Sequence, residues 1–280
     1  MEFVPVDFYE NIFKLTSTDN LFASRLSLLA RRPGFCAGVF NDKRHIKQFF
    51  VMDSEANEIR HYGWNGDLLP AGEYQPKYRE TTSLWFLTAQ VQPPPSEFVR
   101  EFRSEPGMHE LHLVGPGWEL NDQWTSEFAS WKFLRSVRLR SHRTENVERL
   151  LRRFLDNKQL FELHFEKYVP YKKTGVDIGF KFLEQEQFLR LSYDGGIPKS
   201  NMNRILVLAR KRKLRGKTVS WHGNFSLHGK KMKKIDRTEK DRLRYESRTC
   251  VMEYYNPVGT LRMSDDMFMR GVTNSLARFW

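Results

Sequence analysis

Between Trp85 and Trp221 a short apolar-x-apolar core recurs six times: Trp85-Phe86-Leu87, Leu111-His112-Leu113, Val137-Arg138-Leu139, Leu163-His164-Phe165, Leu191-Ser192-Tyr193 and Val219-Ser220-Trp221. The first residues of successive cores lie 26, 26, 26, 28 and 28 residues apart. A fixed period of about 20–50 residues is the mark of a solenoid, whose units bury their apolar faces only against neighbours. Such arrays present extended surfaces and typically bind partners. An ordinary α/β sheet with evenly sized βα units carries the same signature.

Helices fit between the cores. Ser96 caps a short one. Trp124, Phe128 and Trp131 fall at i, i+4 and i+7. Thr144 caps the clearest, with Val147, Leu150, Leu151, Phe154 and Leu155 on one face. Val176, Phe180 and Leu183 follow Thr174, and Met202, Ile205, Leu206 and Ala209 follow Ser200. The unit is therefore strand, loop, helix, and consecutive strands are expected to be parallel. Past Trp221 the rhythm blurs. The spacing there predicts a polar helix in 236–248, a strand over 249–255 with a seventh core at Met252-Glu253-Tyr254, and a last helix capped by Ser264.

The first 35 residues read as short helices, with Phe8, Ile12 and Leu15 in one stripe and Arg31-Arg32-Pro33-Gly34 as a stop. Residues 46–52 and 58–64 are extended in character around the turn-like segment 53–57, which predicts a β-hairpin. Three segments result: 1–35 helical, 36–80 hairpin and connector, 81–280 the βα array with its C-terminal cap.

Hydrophobic residues make up 40% and aromatics 14%, enough for a sizeable core. Two widely separated cysteines, Cys36 and Cys250, read as reduced thiols and point to cytoplasm or nucleus. No apolar run approaches a membrane span, and no secretory signal is visible. Net charge is +12, of which residues 210–248 carry +11 through 15 Lys/Arg against 4 Asp/Glu. That segment is either a solvated basic face or a site for an acidic partner such as nucleic acid. Lys211, Arg212, Lys213, Lys230, Lys231, Lys233 and Lys234 are its candidate contacts.

Catalytic patterns are absent. His109 and His112 are three apart, so on a strand they face opposite ways and cannot share a metal. Gly216-Lys217-Thr218 resembles the end of a phosphate loop, but Lys211 stands where its first glycine belongs. The reading is a non-enzyme with no cofactor and no metal.

With an apolar residue three positions upstream, three cores become Leu134-x-x-Val137-x-Leu139, Leu160-x-x-Leu163-x-Phe165 and Phe188-x-x-Leu191-x-Tyr193. This resembles the strand segment of leucine-rich repeats. The family's Asn or Cys ladder position holds His142, Tyr168 and Gly196 here, with Asn224 alone conforming. The N-terminal Val4-Pro5-Val6-Asp7, followed by Ile12-Phe13, Asp19, Leu21, Leu26 and Arg31-Arg32, resembles an F-box, with Pro33 where a tryptophan closes the family pattern. The order of the two, with Gly63-Trp64 near the hairpin, is similar to the nematode F-box-like proteins.

The resemblance implies an α/β fold with a short F-box-like head, a hairpin connector and a leucine-rich-repeat-like βα solenoid. It implies a substrate receptor of a cullin-type ubiquitin ligase. Val4, Pro5, Ile12 and Leu15 would contact a Skp-type adaptor. Strand alternation gives the outward row its candidates for holding a substrate protein: Phe86, His112, Arg138, Arg140, His164, Glu166, Asp194 and His222, with Arg140 beside Glu166 and Arg138 beside His164 as expected cross-strand pairs. The alternative is a nucleic-acid-binding protein that uses the basic segment.

Overall fold

The computed structural model describes residues 31–280 except 52–56, 64, 71, 88–95, 106, 114–119, 141–144, 167–172, 196–198, 212, 224–231 and 236–238. Residues 1–30 of the segment that resembles an F-box, with Val4, Pro5, Ile12 and Leu15, lie outside the described residues, as do His142, Tyr168, Gly196 and Asn224. The fold is mixed α/β, with seven α-helices and twelve strands among the described residues, and its sheet is open rather than closed into a barrel. Two compact units divide the chain. One runs to Trp118 and takes in Phe133–Ser136; the other comprises Glu119–Lys132 and Val137–Trp280.

The first unit starts with helix α1 (Arg31–Lys43), where the sequence predicts a stop. Pro33 sits in the first turn, where no N–H is needed, so it starts the helix instead of ending it. Cys36, Ala37 and Phe40 are buried, and Phe40 meets Tyr78 edge-on at 6.4 Å. The hairpin forms as expected, from β1 (His45–Val51) and β2 (Asn57–Gly63) in antiparallel register, Phe49 opposite Ile59. It does more than connect. β1 runs parallel to β3 (Arg79–Phe86), which in turn pairs parallel with β4 (Met108–Leu113), giving the order β2-β1-β3-β4. α2 (Ser96–Ser104) supplies Phe98 and Phe102, whose rings meet Phe49 at 5.1 and 5.5 Å. Between α2 and β4, Gly107 adopts φ +94, and a Cβ there would lie 2.9 Å from the Glu80 carbonyl oxygen, so only glycine fits without strain.

Here the first predicted core is out of phase by one residue. Leu84 and Phe86 are buried and lie opposite Leu111 and Leu113, while Trp85 is half-buried and lies opposite His112. Leu84, Trp85, Phe86 and Leu87 are all apolar, so either phase satisfies alternation. A one-residue slip exchanges the two faces. Phe86 is therefore a core residue, not an outward contact.

β5 (Leu134–Leu139) divides between the units, its Val137–Leu139 half belonging to the second. In the second unit come α3 (Asp122–Ser130), α4 (Glu145–Asn157), β6 (Glu162–Phe165), α5 (Lys173–Leu183), β7 (Arg190–Tyr193), α6 (Lys199–Arg210) and β8 (Thr218–His222). Asn121 caps α3 by accepting from the Trp124 N–H at 2.8 Å, and Lys158 at φ 50 stops α4. β6, β7 and β8 are parallel neighbours. Leu163, Leu191 and Val219 share one level, and Phe165, Tyr193 and Trp221 the next. All six are buried, with the Phe165 and Tyr193 rings stacked at 5.2 Å. Each such side chain contributes about 1.5–3 kcal/mol by burial. Leu134, Leu160 and Phe188, the upstream apolar positions, are buried too.

Side chains reach back one repeat to the carbonyls where each helix ends. Asn157 Nδ2 donates to the Ala129 oxygen at 3.2 Å and Gln159 Nε2 to the Trp131 oxygen at 3.0 Å. Gln185 Nε2 donates to Leu155 at 2.5 Å, and Lys217 Nζ to Gln185 and Phe188 at 2.5 and 2.7 Å. Helix C-termini leave carbonyls unpaired, and these donors satisfy some of them. This is a backbone-bracing ladder at the helix-to-strand turns.

After β8 the parallel run ends. β12 (Asn274–Phe279) pairs antiparallel with β8 and with β11 (Cys250–Tyr255); β10 (Arg242–Glu246) and β9 (Lys233–Ile235) follow, giving β6-β7-β8-β12-β11-β10-β9. The seventh core is buried as predicted, at Met252 and Tyr254, but on an antiparallel strand. The polar helix expected in 236–248 is instead strand β10, whose Leu243 is buried between two half-buried arginines. α7 (Asp265–Arg270) begins at Ser264, whose hydroxyl accepts from the Met267 N–H. No helix among the described residues is long and apolar enough to cross a membrane.

Candidate functional site

The polar face of the second unit's strands is the site the sequence points to. Side chains alternate across a strand, so with Leu163, Leu191 and Val219 turned inward, His164, Ser192 and Ser220 face the other way. Chain-order neighbours joined through helices by right-handed crossovers place α5 and α6 on the same side, behind the apolar positions. The opposite face carries the polar rows.

The rows are paired across strands. Arg140 Nε lies 3.5 Å from Glu166 Oε2, as predicted. His164 Nε2 lies 3.0 Å from Asp194 Oδ1, a diagonal pair not foreseen. Ser220 Oγ donates to Ser192 Oγ at 2.8 Å. Arg138 and His222 are half-buried, and Arg140 and Asp194 are exposed. Sequence reasoning missed Glu162 and Arg190, 3.7 Å apart. They lie two residues upstream of His164 and Ser192, so extending the outward row by one step finds them. Further along the same face, Arg278 lies 3.6 Å from Glu253. Each pair joins a more exposed group to a largely buried one, and surface pairs are worth about 0–1 kcal/mol each in stability. What they provide is a patterned surface of alternating charge, whose groups can exchange internal partners for those of another protein.

In the first unit two expected contacts change character. Phe86 is in the core, as above. His112 is also buried; its ring stacks on Trp85 at 3.9 Å and its Nε2 lies 2.9 Å from Glu110 Oε2. Neither side chain is available for an incoming partner. Half-buried residues on that face include Trp85, Phe50 at 6.0 Å from it, and Arg60, whose guanidinium sits 5.1 Å from the Phe50 ring centre.

The basic segment disperses. Lys211 and Lys213 are exposed in the turn after α6, and Lys233 and Lys234 on strand β9. Lys234 pairs with Asp265 at 2.8 Å, and Lys217 is buried among carbonyls. Arg212, Lys230 and Lys231 have no described side chains. The segment is thus spread over a turn, a core position and an edge strand.

One cluster was invisible in the sequence. On the face of β1–β3 that meets α2, the His61 ring stacks on Tyr74 at 3.5 Å, with His45 5.5 Å from Tyr74. Lys47 Nζ donates to Glu101 at 2.8 Å, and both Lys47 and Arg79 pair with Glu105. Burial, then the charge of Arg79, lowers His45 to about 4. Burial lowers His61 to about 4 as well, helped by Arg79, Lys47 and His45. Both imidazoles are neutral at pH 7.

Among the described residues no three His, Cys, Asp or Glu side chains group as a metal site. His109 Nε2 bonds the Phe102 carbonyl at 2.9 Å, on the side of α2, while His112 faces away. The chain matches no protein family, no curated protein and no solved structure.

Proposed function

We propose that the chain is a non-enzymatic adaptor that holds a substrate protein on the polar face of a leucine-rich-repeat-like βα solenoid. The F-box-like head, through Val4, Pro5, Ile12 and Leu15, would dock a Skp-type adaptor of a cullin ubiquitin ligase. The mechanism is proximity: the ligase's transferring enzyme acts on whatever is held beside it. The observation that carries this reading is the patterned face of β6, β7 and β8, with Arg140–Glu166, His164–Asp194 and Ser192–Ser220 side by side and the apolar positions turned the other way. Arg and His offer directional contacts to a protein surface at small cost to the fold.

A photo-crosslinking amino acid placed at Arg138, Arg140 or His222 tests it. In cells, these positions should give discrete crosslinked protein bands. The same group at Arg152 or Arg153, exposed on α4, should give at most about a tenth as much. Equal crosslinking from both sets would contradict the assignment of the face.

A further inference from the structure

The second unit holds an apolar trough with a cationic mouth. A cavity of about 560 Å³ is lined by Ala209, Leu214, Phe279 and Trp280, with Arg215 and Arg248 at its rim. A smaller one of about 170 Å³ shares Ala209, Thr249 and Phe279 and adds Leu206, Met252 and Arg210. Shared walls make them one elongated trough beneath the C-terminal end of α6. Its size is that of a small-molecule site.

The walls are pinned by backbone bonds. Gly216 N–H donates to the Phe279 oxygen at 2.7 Å, Phe279 N–H to Lys217 at 2.9 Å, and Trp280 N–H to Thr249 at 3.1 Å. The site is therefore largely pre-formed. Arg210, Arg215 and Arg248 are exposed, and none has an ion pair among the described residues. Guanidinium groups bind carboxylate and phosphate in fixed, often bidentate geometry.

The lining also says what does not fit. Among the described lining residues the uncharged polar groups are the Thr249 hydroxyl, the Trp280 indole N–H and the Cys250 thiol, which burial pushes up to about 12 and keeps protonated. Apart from the arginines, the described walls offer few groups to read the hydroxyls of a sugar or the edge of a base. An extended peptide would bring backbone N–H and C=O groups into walls that offer few partners, which is costly. The geometry points to a small amphiphilic anion: an unbranched or aryl apolar tail along Phe279, Leu214 and Ala209, and a carboxylate head at the arginines. This ligand site is independent of the protein-binding face.

Titration calorimetry on the full chain with octanoate, 1-octanol and acetate tests it. Octanoate should bind at one saturable site, and 1-octanol and acetate about tenfold or more weakly. Arg215→Glu with Arg248→Glu should weaken octanoate about tenfold or more, and Ala209→Trp should abolish binding. Both arginines are exposed, so the double variant should keep the wild-type unfolding midpoint; it decides the matter even if Ala209→Trp does not fold. Four results would overturn the assignment: no saturable octanoate binding, octanol binding as tightly as octanoate, an unchanged affinity in the double arginine variant, or a Glu-rich peptide with one tryptophan binding more tightly than octanoate.

Discussion

Lys217→Met lowers the stability of the chain by about 2–4 kcal/mol, an effect out of proportion to a single lysine in a basic segment. The side chain is 5% exposed, and its ammonium donates to the Gln185 and Phe188 carbonyls at 2.5 and 2.7 Å. Charge-assisted bonds contribute about 1.5–3 kcal/mol each, and the carbonyls left behind lose their donor inside the protein. Part of that loss is offset, because burial also lowers the lysine's own pKa and disfavours its charge. Methionine preserves the packing of the stem, so the difference isolates the ammonium. Urea unfolding reads it as a lower midpoint with an unchanged slope. A variant as stable as wild type would remove the brace from the account.

Acid weakens the first unit through His45 and His61. In the unfolded chain both titrate near 6.5; in the fold both lie at about 4. Between those values the unfolded state binds more protons, so stability falls as pH falls. The contribution is intact above about pH 6.5 and is lost progressively towards pH 4. One site alone amounts to about 3 kcal/mol, and the two overlap because each repels the other when charged. Lys47 and Arg79 add to the repulsion, while Glu101 and Glu105 pair with those cations. The double substitution His45→Gln, His61→Gln therefore flattens the decline between pH 6.5 and 5. Urea midpoints at pH 7.5, 6.5 and 5 check it. An equal decline in the double variant would place the acid sensitivity elsewhere.

What the sequence makes legible follows from which signals are local. The cores from Leu111 to Trp221 are correct because an apolar pair flanking a polar or small residue has one phase. Trp85-Phe86-Leu87 has two, and the strand takes the other one, which moves Phe86 inward. β12 is missed because its inward row, Ser275, Ala277 and Phe279, uses two small residues and carries little hydrophobic alternation. β10 is misread because its pattern holds one buried leucine among charges. Arg140 and Glu166 are foreseen because one repeat separates them. His164 and Asp194 form a diagonal pair that depends on side-chain reach. The histidine cluster depends on β1 lying between β2 and β3 with α2 over it, and no spacing along the chain encodes that arrangement.

The side chains of the bracing ladder recur at intervals the sequence could have shown. Asn157, Gln185 and Lys217 stand 28 and 32 residues apart, each at the turn from helix to strand. Asn157 is exposed, Gln185 half-buried and Lys217 buried, and their carbonyl partners give all three a structural role; the burial of Lys217 makes part of the positive charge in residues 210–248 unavailable to a partner.

The adaptor role proposed above requires a head that docks a ligase subunit and a face that holds a substrate. Titration of the purified full chain with a purified Skp-type adaptor tests it most directly. The account predicts saturable one-to-one binding by the wild-type chain, and a loss of about a hundredfold or more in Ile12→Asp, because a charge in an apolar interface is left without a partner. The unfolding midpoint of that variant should match wild type. No binding by a well-folded wild-type chain, or equal binding by Ile12→Asp, would contradict it.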